Sequence, residues 1–398
     1  MLAGGGARGA YEAGVLAHVF EHVLPRLPAR ARVDLYSGTS VGAIHAAYGA
    51  ATAHWPPEER AARIAEIWSG MRADEIFQLS LGDLVRVPLR ALGLAQAPRR
   101  QAPPVLGGLV DVRPLEQLVA TRIPWDALPE NLTRGSVGAL CVSCTEVRSG
   151  KITVFMYGPL ANPEPWRFDP GAQAVQVPIT QIHVRASAAI PFLFPAVRIG
   201  ERFYVDGGLR MNTPLSPALR LGAARVLVIS TKRGPTGHEG KEYPDEVITQ
   251  PTFLLGKVLD ALTLDQLEVE LHRIDLINAL IERGTDVYGE EFLDRINPAV
   301  RAQRGVGFRL VRSCVIRPSE DLGRLAAECH RRSRGTRTVG LLHELVARAA
   351  ARGTPADEAD LLSYIFFDRN FTARVVEMGR EDARARQDEI LALFDGAA

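Results

Sequence analysis

The turn over residues 38–42, Gly-Thr-Ser-Val-Gly, constrains the fold of this chain more than any other stretch. Residues 33–36 before it alternate like a short strand, and residues 43–48 after it have the small-residue content of a tightly packed helix. A serine on such a junction adopts a strained backbone with its hydroxyl exposed, while the flanking glycines let strand and helix pass close to it. Ser40 is therefore a candidate nucleophile, and the alternative for the bare pattern is an ordinary Gly/Ser turn.

A second strand-loop-helix junction opens the chain, where residues 4–9 read Gly-Gly-Gly-Ala-Arg-Gly and lead into a helical pattern. Gly4, Gly6 and Gly9 also match the dinucleotide-binding fingerprint, and Asp34 lies near the position of its acidic residue. A cofactor loop does not require a nucleophile on the neighbouring strand, whereas an acyl-transfer site requires backbone N–H donors beside its serine. We therefore interpret residues 4–9 as an oxyanion loop.

Composition excludes some classes of function. The 398 residues suffice for two domains, or for one large domain with an extension. The net charge of +1 gives no overall electrostatic footprint for nucleic acid, and no apolar run is long enough for a transmembrane helix. No signal peptide is visible, which favours the cytoplasm with transient contact at a membrane surface. A loop of this kind normally follows a full strand, so it is open whether residues are missing before Met1.

Two cysteines form a Cys-x-x-Cys, for which a zinc or redox site is one interpretation. Cys141 and Cys144 belong to an apolar, strand-like run, where residues three apart face opposite sides of a sheet. They cannot then share a metal or close a disulfide. We assign no residue to a metal or a cofactor.

A hydrolytic serine needs a base, and the nine histidines are the first candidates. His45 lies on the helix of Ser40 but about 140° round and roughly 7 Å along the axis, so it cannot serve. His183 precedes a small-residue run, but nothing in the sequence holds it near the site. Asp206 is better placed, because it ends a strand-like run and precedes two glycines that permit close backbone approach. The alternative for Asp-Gly-Gly is a tight turn.

The glycine loop, the serine turn and the Asp-Gly-Gly, in this order, resemble the patatin-like phospholipase family, as do residues 185–195 and 209–215. The resemblance covers roughly residues 1–231. It implies an α/β fold: a three-layer α/β/α sandwich with a mostly parallel central sheet, related to the α/β hydrolases, plus a helical C-terminal region. It also implies a catalytic Ser-Asp dyad, Ser40 and Asp206, without a histidine.

The same resemblance assigns the remaining site residues. The oxyanion hole is expected from Gly4, Gly5, Gly6, Ala7, Arg8, Gly9 and Val41, and the supporting motif glycines are Gly38, Gly42, Gly207 and Gly208. As a base, Asp206 needs a pKa raised above about 3.9 by apolar surroundings. Arg8 either steers a phosphate or headgroup, or bonds loop carbonyls to hold the glycines in shape.

Patterning divides the chain at about residue 235, into a catalytic α/β domain over residues 1–235 and a mostly helical extension over 236–398. Within the first, two strand-like runs joined at 148–150 predict a hairpin. Residues 76–104 carry an apolar stripe edged by arginines, which suits a lid, and the alternative is a helix packed on the protein's own core. In the extension, residues 311–316 predict an edge strand.

The expected function is hydrolysis of a carboxylic ester, of the phospholipase A, lysophospholipase or esterase type. The partners are a phospholipid or other acyl-ester substrate and a membrane surface, with no nucleic acid. Two alternatives belong to other classes: a lipid-sensing regulatory module of the same fold with negligible turnover, and a dinucleotide-binding oxidoreductase. Headgroup, chain length, acyl transfer to alcohols and oligomeric state stay open.

Overall fold

The computed structural model describes residues 1–28, 31–78, 110–191, 193–234, 267–333 and 360–395. The strands are β1 (Leu35–Thr39), β2 (Ala139–Glu146), β3 (Ile152–Tyr157), β4 (Ala172–Gln176), β5 (Val197–Ile199), β6 (Arg202–Asp206), β7 (Arg225–Ile229) and β8 (Arg312–Ile316). The helices are α1 (Gly9–His18), α2 (Val41–Ala51), α3 (Pro57–Ser69), α4 (Arg113–Arg122), α5 (Ala127–Thr133), α6 (Gln181–Ser187), α7 (Leu215–Arg220), α8 (Leu267–Tyr288), α9 (Phe292–Arg304), α10 (Leu322–Ser333), α11 (Asp360–Ile365), α12 (Arg369–Ala385) and α13 (Gln387–Asp395). Most of the predicted lid, residues 79–104, lies outside the described residues.

The central sheet is mixed, so the expectation of a mostly parallel sheet is wrong. Strand β2 pairs in parallel with β1 but antiparallel with both β3 and β6, and β5 pairs antiparallel with β6. The parallel pairs β3–β4 and β7–β8 complete the described strand pairs. The physical reason is connection length, because the short links from β2 to β3 and from β5 to β6 can join only antiparallel neighbours. The hairpin predicted at 148–150 and the strand predicted at 311–316 are both confirmed.

Apolar side chains bury both faces of the sheet. In β7, Val226 and Val228 join a core with residues of α7 and α8, while Leu227 and Ile229 pack on the larger core. In β3, Phe155 likewise faces the larger core and its neighbours face a third cluster. This alternation follows from the two-residue period of a strand. A core on each face is what a three-layer arrangement requires.

The register of β2 determines where the functional loops meet. Strand β3 pairs along one edge of β2, and β1 and β6 pair with different parts of the opposite edge. Strand β1 ends with Thr39 opposite Ser143, and β6 ends with Asp206 opposite Cys144, the next residue of β2. Since β1 and β6 run towards each other along β2, both chains must turn away at this point. The serine turn and the Asp-Gly-Gly are those two turns.

The C-terminal helices pack into the same core as the N-terminal part. Helix α12 crosses α1 at a pair of glycines: a Cβ at Gly14 would clash with the carbonyl of Val376, and one at Gly379 with the carbonyl of Tyr11. Strand β8 pairs with β7. The division at residue 235 stays a prediction. Among the described helices, none is long and apolar enough to cross a membrane.

Candidate active site

Ser40 lies on a strained turn between β1 and α2. Its φ of 56° and ψ of −124° make it the one non-glycine residue with a positive φ among those described, a strain of about 1–3 kcal/mol. The glycines on either side are required by contact, because a Cβ at Gly38 would clash with the carbonyl of Gly42 and one at Gly42 with the carbonyl of Leu2. The pattern therefore has the geometry of a nucleophile elbow.

The Ser40 hydroxyl donates a hydrogen bond to the Asp206 carboxylate, with 2.6 Å between Oγ and Oδ2. Ser40 is 5% exposed and Asp206 is 6% exposed. A bond this short between a hydroxyl and a carboxylate is charge-assisted. The two residues are 166 positions apart, and the β1–β2–β6 register brings them together.

Backbone contacts fix the Asp206 carboxylate. Its Oδ1 accepts from the Gly208 N–H at 2.7 Å, and a Cβ at Gly207 would clash with the carbonyl of Ser143. Burial raises the pKa of Asp206 to about 6, and the hydrogen bonds from Ser40 and Gly208 oppose that rise. The pKa shift that a carboxylate base requires is thus present, with burial as its main cause.

The glycine loop passes directly beside Ser40. A Cβ at Gly4 would lie 3.2 Å from Ser40 Cβ. The Gly4 N–H donates to the carbonyl of Asn212 at 3.0 Å, and its own carbonyl accepts from the Thr231 hydroxyl at 2.8 Å. Gly4 is therefore an anchor for the loop.

The N–H groups of Gly5 and Gly6 in the loop and of Val41 in α2 have no acceptor within the described part of the chain. Gly6 has a φ of 55° and opens a short 3₁₀ turn, and Val41 opens α2, so both are at positions where a helix leaves its N–H groups unpaired. Ala7 is fully buried, and Gly9 opens α1 where a Cβ would clash with the Val41 side chain.

A family model described as patatin-like phospholipase matches residues 1–219. The chain belongs to this family. The match contains the glycine loop, the serine turn and Asp206, and members of the family are lipid acyl hydrolases. A search of curated proteins found no significant match.

Asp34 lies at the wrong end of β1 for a cofactor role. It precedes Leu35, the first residue of β1, whereas the glycine loop follows Leu2, which pairs with Gly38 near the other end. Its carboxylate instead pairs with Arg32 at 2.8 Å on the surface. In a dinucleotide fold the acidic residue ends its strand beside the loop. The glycines of this patatin-like domain therefore do not complete that fingerprint.

Arg8 contacts a helix from the C-terminal part of the chain. It is 4% exposed, its Nε donates to the Ser363 hydroxyl at 2.7 Å, and its guanidinium lies 4.1 Å from the centre of the Tyr364 ring. Both partners belong to α11, outside the matched patatin-like region. Both roles expected for Arg8, steering a phosphate and bonding loop carbonyls, stay predictions, and the partners seen here lie over 350 residues further along the chain.

Neither candidate histidine contacts the serine or the aspartate. His45 Nδ1 lies 2.7 Å from Glu12 Oε2, both side chains being at most 1% exposed. The His183 ring caps α6 by accepting from the Thr180 N–H at 3.1 Å. Helical geometry excluded His45 as the base for Ser40, and its pairing with Glu12 agrees with that prediction.

Ser187 supports the turn that carries Ser40, a role that the sequence did not predict. Its hydroxyl accepts from the Ser40 N–H at 2.9 Å and donates to the Ser143 carbonyl at 2.6 Å. The Ser40 N–H is thus already bonded and is not free for a substrate. The available signal was its place in the small-residue run over 186–189, within the stretch 185–195 that resembles the family.

The Glu12–His45 pair ties the glycine loop to the elbow helix. Glu12 Oε1 accepts from the Ala3 N–H at 2.6 Å, immediately before Gly4, while its other oxygen meets His45 on α2. Burial raises the pKa of Glu12. The pair therefore connects three segments: the chain at Ala3 before the loop, helix α1 after the loop, and helix α2, which follows Ser40.

Replacing Glu12 by alanine is expected to lower the free energy of unfolding by about 3–5 kcal/mol, because it leaves His45 and the Ala3 N–H unpaired in the core. Glu12→Gln keeps an acceptor for the Ala3 N–H and a donor for His45. This variant should therefore lose clearly less of the free energy of unfolding than Glu12→Ala. Urea unfolding of both variants measures the difference. Equal losses would show that the carboxylate charge of Glu12, and not these two hydrogen bonds, determines the effect.

Proposed function

We propose that this protein is a serine lipid acyl hydrolase that cleaves carboxylic ester bonds of phospholipids or lysophospholipids through a Ser40–Asp206 dyad. The observation that carries the proposal is the 2.6 Å contact between Ser40 Oγ and Asp206 Oδ2 on a strained elbow. Family membership supports the lipid ester as the substrate class. No histidine is available to the serine in the described part of the chain.

In the first half-reaction, Asp206 Oδ2 accepts the Ser40 proton as Oγ bonds to the ester carbonyl carbon. The carbonyl π electrons move to the oxygen, and the N–H groups of Gly5, Gly6 and Val41 are the donors available to that oxyanion. The N-terminus of α2 adds a partial positive charge on the same side. Collapse breaks the ester C–O bond, and Asp206 returns the proton to the departing alcohol oxygen.

In the second half-reaction, water attacks the acyl group on Ser40. Asp206 takes a proton from the water as the new C–O bond forms, and gives it to Ser40 Oγ when the acyl-enzyme bond breaks. A fatty acid leaves and the enzyme returns to its starting state. One carboxylate therefore serves as base and acid in both halves, which requires a pKa close to the working pH.

We expect kcat/KM to rise about tenfold per pH unit below about 6 and to level off above it. Burial raises the pKa of Asp206 to about 6. Activity should rise with pH because only the ionised carboxylate accepts the Ser40 proton. The profile is measured with a short-chain ester that does not itself titrate. A plateau that already extends down to pH 4.5 would contradict Asp206 as the base.

The product profile tests the substrate class. The purified 398-residue chain is incubated with mixed phospholipids, lysophospholipids and triacylglycerols, and the products are identified by mass spectrometry. The proposal expects free fatty acids together with lysophospholipids or deacylated headgroups. Release of headgroup phosphate with the acyl chains intact, or acylglycerol cleavage without any phospholipid cleavage, would contradict it.

A further inference from the structure

The short helix α11, near the C-terminus, packs on the glycine loop. A Cβ at Gly6 would clash with the carbonyl of Tyr364, so the backbones of the two segments touch. Ser363, which is fully buried, accepts from Arg8 Nε at 2.7 Å, and the Tyr364 ring lies against the same guanidinium at 4.1 Å. The loop thus contacts a part of the chain that the patatin-like match over residues 1–219 does not include.

These contacts hold one end of the loop, and Gly4 holds the other. The Gly4 N–H donates to the Asn212 carbonyl, and the Gly4 carbonyl accepts from the Thr231 hydroxyl. Gly5 and Gly6 lie between that anchor and Arg8. Glycines have the largest backbone freedom of all residues, so two of them in a row keep one conformation only if both neighbours are fixed.

The helix that follows the loop is held from the same side. Besides the glycine contacts between α1 and α12, the Tyr11 hydroxyl donates to Asp382 at 3.0 Å. Helix α12 begins just after α11, where Asp368 caps it by accepting from the Asn370 N–H at 2.9 Å. A rigid α12 therefore fixes the position from which α11 reaches the loop.

We propose that Ser363 and Tyr364 are positioning residues for acyl transfer, which hold Arg8 and thereby keep the Gly5 and Gly6 N–H groups aimed at the developing oxyanion. This inference rests on the proposed function. A buried guanidinium needs partners, and loss of Ser363 or Tyr364 weakens the hold on the loop beside it. The C-terminal region then belongs to the catalytic machinery through the loop, without touching substrate.

The test is made by substitution in the 398-residue chain. Ser363→Ala and Tyr364→Ala should each lower kcat roughly tenfold, a fraction of the 10²–10³ that a fully lost oxyanion donor costs. KM and the pH midpoint should stay unchanged, because neither residue contacts substrate or Asp206. Tyr364→Phe keeps the ring over Arg8 and should retain nearly the whole kcat, since the hydroxyl is 3.5 Å from Arg8 Nη1.

Thr372→Val is the matched control for lost stability. It removes a buried hydroxyl from α12 whose hydrogen bonds stay at the start of that helix, to the carbonyls of Asp368 at 3.1 Å and Arg369 at 3.4 Å. It should lower the melting temperature about as much as Ser363→Ala while leaving kcat unchanged. If Thr372→Val lowers kcat equally, or if both α11 alanine variants keep wild-type kcat, the inference is overturned.

Hydrogen exchange separates this inference from the proposed function. The amides of residues 4–9 should exchange faster in both alanine variants and at the wild-type rate in Thr372→Val. If the wild type hydrolyses no ester, the proposed function fails, and exchange alone then decides whether α11 braces the loop. Unchanged exchange in Ser363→Ala and Tyr364→Ala would overturn the inference even in an active enzyme.

Discussion

Replacing Ser40 by alanine is expected to lower kcat for ester hydrolysis by a factor on the order of 10⁴ to 10⁶. The hydroxyl is the only group of the dyad that can form the acyl-enzyme, and Asp206 alone would have to activate water in its place. A fluorophosphonate probe should label the wild type at Ser40 and should not label the variant. Intact-mass measurement and peptide mapping follow the labelling.

Ser37→Ala is the matched control, because it removes a buried hydroxyl from β1, the strand that leads to Ser40. The Ser37 hydroxyl donates to the Pro214 carbonyl at 3.3 Å, a bond that contributes about 1 kcal/mol. This variant should be slightly less stable but fully labelled and active. Full labelling of Ser40→Ala at another residue would mean that the nucleophile is elsewhere.

Local sequence patterns were sufficient for the parts of the site that lie on turns. The elbow at Ser40 and the Asp-Gly-Gly at Asp206 each need glycines for a local reason, so spacing and residue type indicated both. The resemblance implied a mostly parallel sheet, whereas the hairpin at 148–150 already required one antiparallel pair. The pairing of Ser40 with Asp206 came from motif order, and its physical basis is the β2 register.

Long-range polar contacts could not be predicted from the sequence. Arg8 was expected either to act at the substrate or to bond loop carbonyls, whereas its partners are Ser363 and Tyr364 in a separate segment of the chain. Glu12 and His45 lie in small-residue helices with no local cue that they pair. Such contacts depend on how separate segments pack, which no spacing rule within one segment records.

Replacing Asp206 by asparagine should reduce kcat by about 10³- to 10⁴-fold. Asparagine can still accept from the Gly208 N–H and can donate to Ser40 Oγ, so the geometry should survive. What it cannot do is take the serine proton. Retention of normal hydrolysis at pH 7.5 would exclude Asp206 as the base.

The same substitution should make the protein more stable at neutral pH. Because burial raises the pKa of Asp206 from 3.8 to about 6, the folded state binds a proton more tightly than the unfolded state. The stabilisation from that proton is complete below pH 3.8, declines as pH rises, and is lost above about 6. At pH 7.5 the wild type therefore carries a buried charge whose removal should raise the free energy of unfolding by up to about 3 kcal/mol.

Thermal unfolding of the wild type and Asp206→Asn at pH 4 and pH 7.5 measures this dependence. The melting temperature of the variant should exceed that of the wild type at pH 7.5, and the difference should nearly vanish at pH 4. Glu282→Gln removes an exposed carboxylate from α8 and controls for the change in net charge. A difference that is the same at both pH values would contradict a buried, charged Asp206. The expected loss of activity and gain of stability in Asp206→Asn have one cause. The desolvation that makes this carboxylate a useful base also destabilises the folded state.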